Sequence, residues 1–158
     1  MLELLYKILE FINSRQYKMC LIRDLYLIVE SDGDPYGVRH DRFAVSCAEE
    51  DITNSMVKEL SHNPLAIKDC YPRSKSNMEK WIYMITTMLL VEDNCTEEAI
   101  THYKHSMYKL GLDDVAMIKV VTTLGQSNPK FQSAAISYMA SVDIYTLTKL
   151  TNRQRKGY

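Results

Sequence analysis

Glu98, His102 and His105 fall at i, i+4 and i+7, so a helix over this stretch puts all three on one face. A carboxylate and two imidazoles, with Cys95 nearby, are zinc-ligand types. Three ligands on a single helix are hard to close around a metal, however. An exposed Glu98–His102 pair is the simpler reading, so no metal and no cofactor is expected. Asp32, Gly33 and Asp34 resemble the start of a calcium loop, but the twelfth position from Asp32 is Phe43, where a bidentate Glu is needed. Asp, Gly and Pro in this segment read as a turn. His40 and Asp41 are an acid and a base side by side, with no nucleophile assigned to them. No phosphate-binding glycine loop, GxSxG or HExxH is present, so no catalytic residue is nominated.

Two surfaces could bind rather than react. In residues 2–12, Leu2, Leu5, Leu9 and Ile12 form a helical stripe, flanked by Leu4, Ile8 and Phe11. That face is broader than a surface helix needs, and suits a dimer seam or a partner helix; packing on the protein's own core is the alternative. Near the other end, helical spacing puts Ile144, Leu147 and Leu150 on one face and Lys149, Arg153 and Lys156 on the opposite one, with Arg155 at the edge. This basic ridge would suit phosphates, nucleic acid or an acidic protein; a solvated helix end is the alternative.

Charge is distributed to match. The formal net charge of the 158 residues is −1, yet residues 1–98 carry −6 and residues 99–158 carry +5. Such asymmetry fits an anionic partner for the second half or head-to-tail self-association. Cys20, Cys47, Cys70 and Cys95 form no CxxC pair and lie in or beside apolar stretches, so buried free thiols are expected. The start, MLELLYKILEF, holds two Glu and lacks a basic leader, so the Asn94-Cys95-Thr96 sequon is expected to be silent. An intracellular site, cytoplasmic or nuclear, follows, with no transmembrane segment.

The elements that must position these groups read as helices. Residues 81–91, WIYMITTMLLV, carry no charge, Gly or Pro. Eleven apolar residues are too few for a membrane span of about 20, so they predict a buried central helix, about 78–91. Ser76 and Glu79 match a capping box at its start. A second match, Ser46 and Glu49, predicts a helix over 47–61, with 31–44 left as loop or extended chain. Residues 16–30 predict a helix, with a strand at 25–29 as the alternative; Arg23 and Asp24 lie off its apolar stripe. Thr96, Asp113, Asn128 and Asp143 are helix caps, while Gly111 and Gly125 mark helix ends.

The fold expected is therefore all-α: one helical domain over 1–151, with seven or eight helices around the central one, and a basic tail at 152–158. A hydrophobic central helix wrapped by amphipathic ones resembles Bcl-2-like folds in architecture, though no family motif aligns with these residues. The Met-, Tyr- and Thr-rich, Gly-poor composition resembles that of virus-encoded helical proteins. That resemblance implies a host-interaction role. The function expected first is a non-enzymatic interaction protein, self-associating or binding a protein partner. A nucleic-acid-associated regulator using the basic ridge is the alternative.

Overall fold

A computed structural model describes residues 1–31, 37–93 and 95–142. Asp32 and Asp34, the Asp143 cap and the ridge residues Lys149, Arg153, Arg155 and Lys156 lie outside the described residues. The described residues fold as an all-α, single-domain bundle with eight helices among them. They are α1 (Leu2–Ile12), α2 (Ser14–Glu30), α3 (Val38–Glu49), α4 (Asn54–His62), α5 (Lys75–Leu90), α6 (Glu97–Lys109), α7 (Asp114–Ser127) and α8 (Gln132–Ser141). Two 3-10 turns, Pro64–Ala66 and Pro129–Phe131, join α4 to α5 and α7 to α8. No described helix is long and apolar enough to cross a membrane.

The central position is shared. α5 packs on α2, α3, α6, α7 and α8, and α2 packs on α1, α3, α4, α5 and α6. The main core joins Leu21, Leu25 and Ile28 of α2 to Trp81, Ile85, Met88 and Leu89 of α5 and to Tyr103, Ile118 and Tyr138 beyond. A smaller cluster of Met19, Ile22, Cys47, Met56 and Leu60 fills the space under α3 and α4. Residues 25–29 are helical, because α2 is enclosed over most of its length and buries its apolar run on several sides at once.

Several expected boundaries move. Residues 38–44 are the first turns of α3, not loop. The helix is fixed there by Arg39, which is fully buried and donates to the Met88 and Leu89 carbonyls at 3.2 and 2.8 Å. Ser46 does not cap a helix; it lies inside α3. The chain breaks instead at Asp51, whose φ is 54°. There the Ile52 amide donates to the Cys47 carbonyl and the Asp51 amide to Ala48, a Schellman closure with Asp in the position glycine usually takes. Thr53 then caps α4 through the Met56 amide. Ser76 is likewise interior to α5, which opens three residues earlier than expected, after Ser74. Gly125 does not end α7: it is buried within the helix, at a point where an added Cβ would come within 2.6 Å of Ala135 Cβ. Close approach of α7 and α8, rather than a turn, requires that glycine. Thr96, Asp113 and Asn128 do cap, and Gly111 ends α6 with φ 90°.

Candidate functional site: an outward apolar face on the first helix

The site begins with a carboxylate. Among the described side chains of α1, Glu10 alone is buried, at 5% exposure. It accepts hydrogen bonds from the Ser74 amide (3.0 Å), the Arg73 amide (3.3 Å), the Asn77 side-chain amide (2.8 Å) and the Ser74 hydroxyl. One helical heptad earlier, Glu3 accepts from the Lys75 amide at 2.7 Å. Free amides at a helix start attract negative charge. Two carboxylates of α1 therefore do for α5 what no capping side chain of its own does. Burial alone would raise the Glu10 carboxyl. The bonds from the Ser74 hydroxyl, Asn77 and the two backbone amides outweigh it, and hold Glu10 below its ordinary value.

Arg39 supplies the complement at the other end of α5, where unpaired carbonyls attract a cation. The central helix is thus clamped by acid at its start and base at its finish, from two different helices. The sequence offers no local signal for either contact, since the partners lie about 50 to 70 residues apart.

Turning Glu10 inward fixes the rest of α1. Tyr6, Glu10 and Asn13, at i, i+4 and i+7, form the stripe toward the body. The apolar stripe must then face away. Leu2, Leu5, Leu9 and Ile12 are all exposed, at 59, 49, 43 and 69%. Leu4, Ile8 and Phe11 are exposed beside them, Phe11 at 82%. Seven large apolar side chains on one helix make a contiguous patch of several hundred Å², the scale at which exposed apolar surface marks an interaction site. Fully burying a Leu or Ile side chain is worth about 1.5–3 kcal/mol. Covering these seven would release on the order of 5–10 kcal/mol before the cost of association.

The other candidates form no comparable site. Glu98 and His102 pair at 3.8 Å on the surface of α6, and His40 pairs with Glu30 at 3.9 Å. No group of three or more metal-ligand types comes together among the described residues. A cleft of ≈640 Å³ between α2, α4 and the 63–70 segment is bordered by charges that neutralise one another: Arg15 meets Glu59 at 2.7 Å, and Arg23 meets Asp69 at 2.8 Å.

Sequence reasoning missed the network behind that cleft. Arg23 and Asp24 are buried and bonded at 3.0 Å; Asp24 also accepts from the Tyr71 and Ser106 hydroxyls. A lone Arg-Asp dipeptide off the apolar stripe carries no sign of this, because its partners come from the 67–71 segment and α6. Burial first, then the Asp24 carboxylate, pushes the neighbouring Cys20 thiol up to about 12. Burial likewise raises Cys95 to about 11. All four cysteines are free.

Comparison with protein-family models, with curated proteins and with solved structures finds no match to this chain. The reading of α1 therefore stands on its geometry.

Proposed function

We propose that this is a non-catalytic interaction protein that docks other protein surface on the outward face of α1. One observation carries the reading: α1 buries its carboxylate and exposes its Leu, Ile and Phe. A helix placed only for stability would be rotated the other way. Here the rotation is held by hydrogen bonds from Ser74, Arg73 and Asn77, so the apolar face is presented by a fixed helix rather than by a frayed end. The docking mode is helix-to-helix or helix-in-groove, read out by side chains at i, i+4 and i+7.

The test is a folded variant with a charged face. Leu4→Glu with Ile8→Glu alters two exposed side chains at the middle of the face. It should melt within a few degrees of wild type. In native extract the wild type should migrate as a species larger than the monomer, and the variant as the monomer. A wild type that stays monomeric both in extract and when purified contradicts the reading.

A further inference from the structure

The occupant of the α1 face can be named from the face itself. We infer that it is a second copy of this chain, with the two α1 helices packed antiparallel about a two-fold axis. The inference rests on the docking role proposed above.

The first reason is self-compatibility. In an isologous pair every group meets the same surface on its mate, so a charged face repels its own copy. Leu4 and Ile8 hold the middle of this face, and Phe11, Ile12 and Leu5 surround them, with no charge among them. Antiparallel alignment sets Leu4 of each copy against Ile8 of the other, and small adjustments keep apolar on apolar.

The second reason is charge. At about 100° per residue, Glu3 and Lys7 lie one turn apart along the same edge of α1. A two-fold in the plane between antiparallel helices brings like edges together. Glu3 then lies about 3 Å along the axis from Lys7 of the mate, and the reverse, giving two symmetric ion pairs. Parallel packing would set that edge against Leu5 and Leu9 on the opposite edge, with no such pairing. Glu3 uses one carboxylate oxygen for the Lys75 amide, and a carboxylate has a second oxygen with which to accept from Lys7 of the mate.

The third reason is size. A patch of several hundred Å² per copy falls below the roughly 800 Å² of a standard partner surface. That size suits a reversible pair, not an obligate one, whose interfaces are larger.

Equilibrium sedimentation of the purified chain tests the pairing. Wild type should dimerise with micromolar affinity, and Leu4→Glu with Ile8→Glu should be monomeric. Lys7→Glu lines the shared edge with like charge and should weaken the dimer about tenfold; Glu3→Lys should do the same. An equimolar mixture of Lys7→Glu and Glu3→Lys restores opposite charges across the seam, and should recover association as a mixed dimer. If Glu3→Lys proves unstable through loss of its Lys75 contact, Lys7→Glu and Lys7→Gln carry the test, with the Gln variant intermediate. A dimer indifferent to Lys7 and Glu3, or one that survives the Leu4/Ile8 variant, overturns the inference. So does a wild-type monomer at 100 µM or more. If that monomer still enters an α1-dependent complex in extract, the docking role stands and only the second copy is lost. If it instead partitions onto phosphatidylcholine vesicles, both fail.

Discussion

Glu10 decides which way α1 faces, through four hydrogen bonds to one carboxylate. Hydrogen bonds to charged groups contribute about 1.5–3 kcal/mol each, and they are not additive. Glu10→Ala should therefore cost about 2–4 kcal/mol of stability, measured by urea unfolding. The sign of its pH dependence follows from the lowered carboxyl. Its contribution is complete above the ordinary value of 4.5, and disappears as pH falls through the lower folded value. Glu10→Gln should flatten that acid limb of the stability curve; an unchanged limb would assign it to other carboxylates, of which Asp69, also held low beside Arg23, is the first candidate. At the same scale, Cys20 should resist alkylation at neutral pH in the folded protein and react fully in denaturant, because a thiol raised to about 12 supplies almost no thiolate. Mass spectrometry of the labelled protein measures both states.

Elements are joined by contacts of unequal visibility. Apolar spacing and caps at Thr96, Asp113 and Asn128 made the second half of the bundle legible, because those signals are local and their hydrogen bonds close within three residues. The first half was less legible. Both capping-box matches failed, since Ser46 and Ser76 sit inside helices whose starts are set by distant partners. The stripe of Leu2, Leu5, Leu9 and Ile12 was readable from spacing, but its outward direction was not; that depends on Glu10 meeting Ser74, 64 residues away. Gly125 misled for a related reason, as a glycine that ends a helix and one that lets two helices touch look alike in sequence. Gly125→Ala should push α7 from α8, since its Cβ would meet Ala135 at 2.6 Å. Overpacking costs typically about 1–3 kcal/mol, against about 1 kcal/mol gained in helix propensity. A lowered melting temperature is expected, and one at or above wild type would mean that the interface yields. Asp51→Gly should act oppositely, relieving a left-handed φ of 54° at an exposed site and adding about 0.5 kcal/mol.

For the molecule as a whole, the bundle is built around α2 and α5, and α5 is clamped by carboxylates from α1 and a guanidinium from α3. Ile85 is fully buried at its centre. Ile85→Asp should leave no cooperative melt by circular dichroism, since an unpaired buried carboxylate costs several kcal/mol against a total of about 5–15. The core is closed without α1's apolar residues, which leaves them available for association. Those residues belong to the surface of the folded chain. Sedimentation velocity of wild type and Leu4→Glu/Ile8→Glu, side by side at tens of micromolar, checks both the placement and the association. Wild type should give a dimer-weighted boundary and the variant a compact monomer. An expanded, slowly sedimenting variant would mean that the face is core, and an unchanged boundary would mean that it docks no second copy of the chain.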